Sequence, residues 1–430
     1  MHNADALPRG TPAPFRGNSV SLAARVGVFG VALFAVTIYA LPQYIFPVLE
    51  PLRVGVLTAA MMSAGLVARW VLGGAAPTAG GLRVFGLVGF LAAAVASQLW
   101  SLDPAISRWA GNEALKMGLV YVAAASLLDK PERLRKVAWA VAIAGCVPAY
   151  YAVSNYLTGT NLLEGYRARW TGTFLDPNRL SMALVASSMI LLAMRARLQN
   201  PVLRFLALAA VGLQIWGVVV TYSRGAALGL GVGLLVYLLT GAGGNRRIRS
   251  LAVVAGVVVS LLFLAPERFW NRTETIASYT EDASAMGRIY AWQTAANILE
   301  RRPLTGVGAS AFLAAWATYA PGEAGAHAYV AHNLILEVAA ELGIPALLAF
   351  LVLLSACTWG AWRATRPPSP VPEEARGIVA ALAGYLVCQM FAGFMLSFFL
   401  FLLLGLATAA ERLARRERQL AAANRHGHGA

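Results

Sequence analysis

Charged residues are scarce in this sequence. They make up 13% of its 430 residues, whereas hydrophobic residues make up 58%, and the mean hydropathy is +0.62. A soluble chain of this length needs more charge to cover its surface, so the composition excludes an ordinary soluble globular protein. Long apolar runs are instead typical of membrane spans. The sequence therefore predicts an all-α, polytopic helical membrane protein.

Motifs that would indicate a cofactor are also missing. The sequence has no G-x-x-x-x-G-K-[ST] nucleotide loop, no H-E-x-x-H zinc motif and no D-x-D pair. Its three cysteines, Cys146, Cys357 and Cys388, all fall within apolar runs, so neither a disulfide nor a zinc site is indicated. We therefore expect no cofactor, no bound metal, and a substrate that arrives already activated.

Apolar runs near the 20 residues that a bilayer requires recur about 12 times. They lie at 26–46, 53–73, 81–100, 110–128, 136–157, 180–194, 202–221, 225–241, 250–266, 332–360, 377–394 and 397–411. The last two belong to one continuous run, which we divide between Gly393 and Ser397. The first run is too long for a signal-peptide core, so we expect an uncleaved first span.

The distribution of charge sets the expected topology. If both termini are cytoplasmic, the inner segments hold about two thirds of the 35 Lys and Arg but about a third of the 20 Asp and Glu, as the positive-inside rule requires. The net charge of +15 thus belongs to short inner loops, and no nucleic-acid partner is expected. The chain divides into a cytoplasmic N-tail (1–25), spans 1–9 (26–266), an outer loop region (267–331), spans 10–12 (332–411) and a basic cytoplasmic C-tail (412–430).

Two connections on the outer face are long, at about 158–179 and 267–331. The second contains MGRIYAWQTAANILERRPLTG, in which apolar residues recur at helical spacing. We expect this helix to end at Arg301 to Pro303, with a turn at Gly306 and Gly308. Long loops in compact proteins are usually functional. The working surface is therefore expected outside the cytoplasm.

Two arginines of the outer face are candidate site residues. Arg224 lies in TYSRGA between two apolar runs, where an arginine can also serve as a snorkelling anchor. Arg288 starts the predicted loop helix, where a cation is poorly placed relative to the helix dipole. An anionic partner would explain that placement, and a solvated arginine at a helix end is the alternative.

A histidine and several carboxylates stand at the mouth of a hydrophobic run, AHNLILEVAAELGIPALLAF. His332 has an ordinary pKa near 6.5, so it can act as a base at neutral pH. Asn333, Glu337 and Glu341 follow at helical spacing. The alternative is structural, with His332 and Asn333 capping the helix and Glu337 pairing with an arginine.

Together these residues suit one kind of chemistry. Arginines bind phosphates bidentately, and Arg179 in FLDPNRL adds another beside Asp176, which is expected to cap the next span. A histidine can take a proton from an attacking hydroxyl. The combination indicates group transfer from a lipid pyrophosphate to an alcohol.

Four stretches of the sequence resemble the O-antigen ligases, within the O-antigen ligase and polymerase superfamily. Their order, the number of spans and the long loop before the histidine span are similar as well. The stretches are FLDPNRLSM (174–182), TYSRGA (221–226), GRIYAW (287–292) with RPLTGVGASAF (302–312), and HNLILEVAAELGIPALL (332–348).

The resemblance implies an inverting, metal-independent glycosyltransferase of the Gram-negative inner membrane, with a GT-C-like helical fold and an active site facing the periplasm. Such enzymes move O-antigen polysaccharide from undecaprenyl pyrophosphate to a sugar of lipid A–core, in lipopolysaccharide biosynthesis. His332 would be the base, and Arg224 and Arg288 would bind or activate the pyrophosphate. Five more residues would bind substrate: Asn178, Arg179, Tyr222, Asn333 and Glu337.

Three other functions remain open. A Wzy-type polymerase would use the same donor to lengthen a lipid-linked chain, and a protein O-oligosaccharyltransferase would transfer glycan to Ser or Thr. A 12-span transporter or flippase is a different class. Transporters usually place ionisable residues near mid-membrane and have related halves. Here the spans carry little charge and no repeat is apparent, which favours the enzyme.

Overall fold

The computed structural model describes residues 14–71, 80–241, 283–325 and 327–427, together with residues 248, 251–252 and 255–256. This part of the chain is mostly helical. The first ten helices are α1 (Pro14–Ala40), α2 (Pro42–Ile45), α3 (Val54–Val71), α4 (Gly81–Ala96), α5 (Pro104–Leu127), α6 (Pro131–Ala144), α7 (Cys146–Thr158), α8 (Pro177–Met194), α9 (Pro201–Val219) and α10 (Arg224–Leu239).

Five further described helices follow. They are α11 (Ala283–Arg301), α12 (Phe312–Tyr319), α13 (Leu334–Ala364), α14 (Pro372–Ala392) and α15 (Phe398–Gly427). Between α7 and α8, strand β1 (Leu162–Leu163) pairs antiparallel with β2 (Arg167–Ala168). The predicted break between Gly393 and Ser397 is confirmed, because α14 ends at Ala392 and α15 begins at Phe398.

Among the described residues, eight helical segments are long and apolar enough to cross a membrane. They are Leu22–Ala40, Pro47–Val71, Gly81–Leu99, Pro131–Thr158, Pro177–Arg197, Pro201–Val219, Leu334–Ala364 and Pro372–Ala392. The predicted spans 110–128 and 397–411 lie in α5 and α15, which carry more polar residues, and 225–241 lies in the shorter α10. The predicted span 250–266 falls largely outside the described residues. The polytopic helical class is confirmed, and the count of about 12 stays a prediction.

Several helix starts follow signals in the sequence. Asp103, Asp176 and Asn200 each precede a proline, and each side chain accepts hydrogen bonds from two backbone N–H groups of the turn that follows. Proline suits this first helical position because its missing N–H would be unpaired there anyway. A cap of this kind stabilises a helix by about 1 kcal/mol. The start of α8, which bears Asn178 and Arg179, is fixed in this way.

Helix α14 packs along α8 and α10. Its contact with α10 is close at Gly384 and Gly229. A Cβ atom on Gly384 would lie 2.7 Å from the carbonyl oxygen of Gly229, and one on Gly229 would lie 2.5 Å from that of Gly384. Small residues let helix backbones approach in a lipid environment, where van der Waals packing drives association. This contact fixes the start of α10 beside the end of α14.

Helix α13 is interrupted at Gly343, where φ is 84° and ψ is 169°. The span predicted at 332–360 corresponds to the apolar segment Leu334–Ala364, and the sequence does not predict this interruption within it. The reason is the chain after α11, which crosses α13 here. The backbone N–H of Ile344 donates to the carbonyl of Pro303 at 2.8 Å, and a Cβ on Gly343 would lie 2.3 Å from the carbonyl oxygen of Leu304. Such a φ and ψ are essentially restricted to glycine.

The crossing chain also replaces the helical hydrogen bonds that the interruption removes. The carbonyls of Ala340 and Glu341 would normally accept from residues 344 and 345, but the N–H of Ile344 points to Pro303 and Pro345 has none. Val307 donates to Ala340 at 3.0 Å and Gly308 to Glu341 at 2.9 Å instead. Residues 303–308 are therefore an integral part of α13's hydrogen bonding.

Glu341 supplies a further attachment for the same chain. Its side-chain Oε2 accepts the backbone N–H of Ser310 at 2.5 Å, and the residue is only 3% exposed. Ser310 has a positive φ of 58°, which is uncommon for a residue other than glycine, and this hydrogen bond helps to hold it there. The buried carboxylate is thus explained by backbone donors of the crossing chain.

We predict that Gly343→Ala lowers the stability of the protein, by about 1–3 kcal/mol from backbone strain, with a further cost from the contact with Leu304. Gly231→Ala is the matched control, because Gly231 is helical and a Cβ there meets nothing within 4 Å. Thermal unfolding of the detergent-purified variants measures both effects. Equal melting temperatures for the two variants would contradict the account of the crossing.

Candidate functional site

The starts of α8 and α10, part of α11 and the end of α14 meet around a narrow cleft. Its lining includes Asn178, Ser223, Gly225, Arg288, Phe391 and Ala392. Arg224 is the first residue of α10 and stands between Ser223 and Gly225 in the sequence. Sequence stretches far apart in the chain are therefore brought together at one place.

His332 lies beside this cleft, two residues before α13, with a positive φ of 49°. Burial lowers the pKa of its imidazole below the ordinary 6.5, and the positive charge of Arg288 lowers it further. The carboxylate of Asp176 and a hydrogen bond to the backbone of Ala392 act in the opposite direction. The neutral imidazole, which is the form that can accept a proton, is therefore favoured at neutral pH.

One nitrogen of this imidazole lacks a partner. Nδ1 of His332 is buried and makes no hydrogen bond to any residue that the structure describes. A buried polar atom without a partner costs about 1–3 kcal/mol. Such atoms are rare in folded proteins and are often found at functional sites. His332 is therefore poorly explained as a structural residue alone.

Arg288 lies in the second turn of α11, because that helix begins at Ala283. The expectation that Arg288 starts the helix is therefore wrong, and the dipole argument for an anionic partner does not apply. Its position supports a site role for a different reason, since its charge acts on His332 and its side chain lines the cleft. The predicted end of the helix at Arg301 is confirmed.

Asn178 belongs to a network of hydrogen bonds at the start of α8. Its Oδ1 accepts from Nη2 of Arg167 at 3.2 Å and from the hydroxyl of Ser223 at 3.0 Å. Arg167 also donates from Nε to the carbonyl of Thr221 at 3.1 Å. The network ties α8, the β1–β2 hairpin and the start of α10 together. Asn178 thus holds the wall of the cleft and also faces it.

Tyr222 is buried just before α10, with a positive φ of 53°. Its hydroxyl is hydrogen-bonded to that of Tyr156 at 3.0 Å, and its ring lies edge-on to Tyr166, with centroids 5.2 Å apart. These contacts join α7, the hairpin and the turn that carries Ser223. Tyr222 therefore helps to hold the walls of the site together, and its contact with substrate stays a prediction.

Asn333 is the N-cap of α13. Its Oδ1 accepts from the backbone N–H groups of Ile335 and Leu336, at 3.0 and 3.1 Å, and its Nδ2 donates to the carbonyl of Met390 at 3.3 Å. The capping alternative for this residue is thus observed. Since both ends of its amide are engaged, Asn333 fixes the turn that presents His332, and substrate binding by its side chain stays a prediction.

Glu337 also has backbone partners. Its Oε2 accepts the N–H of Phe394 at 2.6 Å and that of Met395 at 3.0 Å. Arg179 acts on the same carboxylate electrostatically. The carboxylate therefore anchors the connection between α14 and α15 to α13. A direct role in binding substrate stays a prediction.

Arg179 follows Asn178, which lines the cleft, and itself borders a large apolar cavity. Its guanidinium carbon is 3.8 Å from the centroid of the Phe394 ring, and it lines the cavity, whose volume is about 760 Å³. The walls of the cavity come mainly from apolar side chains of α1, α3, α5 and α15, such as Phe34, Val56 and Phe398. Met182 lines both cavity and cleft, so the polar and apolar parts of the site adjoin.

The sequence did not single out every residue that shapes this site. Asp176 caps α8 as expected, but its carboxylate also acts on His332. Ser223 belongs to the TYSRGA stretch beside Arg224, whereas Ala392 and Phe394 are not candidates from the sequence. A Ser before a helix start is a recognisable capping signal, whereas nothing in an apolar run distinguishes Ala392 or Phe394.

Comparison with known proteins supports the resemblance. The model of the Wzy_C family, described as O-antigen ligase, matches residues 209–351. This range contains Arg224, Arg288 and His332, together with the interruption of α13, while Asn178 and Arg179 lie outside it. Comparison with curated proteins finds no match. Fold, site and family match together support a multi-pass membrane enzyme of the O-antigen ligase and polymerase type.

We predict that His332 titrates below pH 6.5 in the folded protein and that its two charged neighbours shift this pKa in opposite directions. Asp176→Asn should lower the pKa, since it removes the carboxylate while keeping a good N-cap, and Arg288→Gln should raise it. NMR of histidine-labelled protein measures the pKa, with His332→Gln assigning the signal. A pKa that moves in the same direction in both variants would refute the arrangement.

Proposed function

We propose that this protein is an O-antigen ligase, which transfers O-antigen polysaccharide from undecaprenyl pyrophosphate to a sugar hydroxyl of lipid A–core. The observation that carries the proposal is the meeting of His332, Arg288 and Asp176 beside a cleft that adjoins a large apolar cavity. A donor that joins a polar saccharide, a pyrophosphate and a long hydrocarbon chain requires a polar and an apolar compartment side by side. The family match to residues 209–351 supports the same conclusion.

The proposed reaction is a single displacement at the anomeric carbon of the donor. The hydroxyl oxygen of the acceptor sugar forms a bond to this carbon, and the bond from the carbon to the pyrophosphate oxygen breaks. The hydroxyl proton passes to the neutral imidazole of His332, and undecaprenyl pyrophosphate leaves with the electron pair. One displacement inverts the configuration. General base catalysis of this kind contributes about 10²- to 10⁴-fold to the rate.

Arg224 and Arg288 are assigned to the pyrophosphate. Negative charge grows on the leaving oxygen as the bond breaks, and a fixed guanidinium stabilises that charge more in the transition state than in the ground state. Bidentate contacts to phosphate also orient the donor for attack. With two arginines in these roles, the proposed reaction is independent of a metal ion.

The proposed setting is the inner membrane of a Gram-negative bacterium, with the site facing the periplasm and a GT-C-like arrangement of helices. Its support is the excess of Lys and Arg in the predicted inner loops. At the other end of α14 from the cleft, Glu374 is fully buried and holds Arg135 at 2.7 Å and Arg197 at 2.8 Å. These arginines belong to segments predicted to be cytoplasmic, which supports the proposed orientation with the cleft on the opposite, periplasmic side.

We predict that His332→Ala lowers transfer by at least about 100-fold, because the acceptor hydroxyl loses its base. His327→Ala is the matched control, since His327 is an exposed histidine of the same outer region whose ring packs against Tyr329. Initial rates of acceptor glycosylation by purified protein measure the effect. Equal rates for the two variants would exclude His332 as the base.

We also predict that Arg224→Ala and Arg288→Ala each lower transfer by about 10²- to 10³-fold. Lysine at either position should recover little activity, because an ammonium cannot reproduce the bidentate contact. Arg301→Ala serves as the control, since Arg301 is exposed at the far end of α11 and its guanidinium carbon is 5.7 Å from the centroid of the Tyr319 ring. A full recovery by lysine would contradict the proposed geometry of phosphate binding.

The reaction itself is tested with purified protein, undecaprenyl-pyrophosphate polysaccharide, lipid A–core and EDTA, in the absence of ATP. The proposal predicts a ladder of glycan attached to lipid A–core. Lengthening of the donor without modification of lipid A–core would indicate a polymerase instead. Transfer to a Ser- or Thr-containing protein would indicate an O-oligosaccharyltransferase, and movement of intact donor across liposomes without a covalent product would indicate a flippase.

A further inference from the structure

One residue that lines the apolar cavity has an unusual backbone. Phe394 has a φ of 108°, and Gly393 before it has a φ of 71°. Glycine adopts positive φ freely, but a bulky residue such as phenylalanine does so only against a steric penalty. Strained residues persist where surrounding contacts hold them, and they cluster at functional sites. Phe394 therefore requires an explanation.

Several contacts hold this strained turn in place. Glu337 accepts the N–H of Phe394 at 2.6 Å and that of Met395 at 3.0 Å, and Nε2 of Gln389 donates to the carbonyl of Phe394 at 3.2 Å. The turn is also pressed against α13, because a Cβ on Gly393 would lie 3.3 Å from the backbone nitrogen of His332. A relaxed backbone here would move both the ring of Phe394 and the support of His332.

The result of the strain is the position of the Phe394 ring. The ring lies under the guanidinium of Arg179, with 3.8 Å between the guanidinium carbon and the ring centroid, and it lines the apolar cavity together with Arg179. Nε of Arg179 is buried and has no hydrogen-bond partner among the residues that the structure describes. The arginine is thus held mainly through its face, by the aromatic ring, and by the charge of Glu337.

Contact through the face has a consequence for ligand binding. A carboxylate that paired with Arg179 directly would occupy the N–H groups at the edge of the guanidinium, which are those that bind phosphate. An aromatic ring attracts the same cation through its π face and leaves these groups available. The hydrocarbon edge of the ring also continues the apolar wall of the cavity.

We propose that Phe394 is a positioning residue, which holds the guanidinium of Arg179 where the pyrophosphate of the lipid donor meets its hydrocarbon chain. Glu337 fixes the backbone of Phe394 in this position. The inference rests on the proposed function, since it assigns Arg179 to the pyrophosphate of that donor. It adds a residue outside the range of the family match, in the break between α14 and α15.

A double-mutant cycle tests the proposal. Phe394→Leu keeps an apolar side chain but removes the π face, and Arg179→Ala removes the cation. Each change alone should lower kcat/KM for the donor by about tenfold or more, while the KM for lipid A–core stays unchanged. The double variant should be no worse than Arg179→Ala, because Phe394 acts through Arg179. Phe394→Tyr, which keeps the π face, should retain most of the activity.

A second pair of variants separates positioning from folding. Phe394→Gly and Phe394→Ala both remove the ring, but glycine is free of the steric penalty at this φ. Phe394→Gly should therefore melt at a higher temperature than Phe394→Ala, yet transfer glycan no faster. If activity instead followed the melting temperature, Phe394 would have a purely structural role and the proposal would fail.

The outcomes distinguish this inference from the proposed function. The proposed function is supported if the wild-type protein transfers glycan and His332→Ala does not. If the activity losses of the Phe394 and Arg179 variants then multiply in the double variant, the role of Phe394 is overturned while the proposed function stands. If the wild-type protein transfers nothing, the proposed function fails. The same cycle is then measured by binding of undecaprenyl pyrophosphate to the purified protein, where independent effects of the two changes would likewise overturn the role of Phe394.

Discussion

Two buried carboxylates on one hydrophobic helix, α13, hold together the end of the protein that carries the candidate site. A carboxylate in apolar surroundings is costly unless it receives hydrogen bonds. Glu337 and Glu341 receive theirs from backbone N–H groups of two different connections, at Phe394 and Met395 and at Ser310. The backbone N–H groups of each connection are thereby paired, which avoids the free-energy cost of burying them without a partner. Each carboxylate and its connection stabilise one another. Without the connection the carboxylate would be buried without hydrogen-bond donors, and without the carboxylate the backbone N–H groups of the connection would lose their acceptor.

This arrangement explains how a polar site is held at the end of apolar helices. The connection anchored by Glu341 follows α11, the helix that carries Arg288. The connection anchored by Glu337 carries the ring that packs on Arg179 and follows Ala392, the neighbour of His332. Both anchors lie in the first turns of α13, the helix that His332 precedes. The candidate site residues from separate helices thus share one support, as the proposed group transfer requires.

The sequence predicts some of these features and not others, for physical reasons. Helices follow from hydropathy and from caps such as Asp176, since both signals are local. His332 can be selected as a candidate from the sequence because a histidine is rare at the mouth of an apolar run. The interruption at Gly343 is hidden, because the crossing chain lies some 40 residues upstream and hydropathy does not respond to it. Likewise, the backbone of Phe394 is held by tertiary contacts with Glu337, which no local pattern records.

The central claim is that His332 and the arginines around the cleft form a pyrophosphate site that adjoins a hydrocarbon site. An electron cryo-microscopy structure of the protein in nanodiscs with undecaprenyl pyrophosphate tests it most directly. The account predicts that the pyrophosphate lies within hydrogen-bond distance of Arg224 and Arg288, with Arg179 where the chain enters the cavity. Pyrophosphate bound at the opposite end of the helices, or a hydrocarbon chain outside the cavity with Arg179 remote from the phosphates, would contradict it.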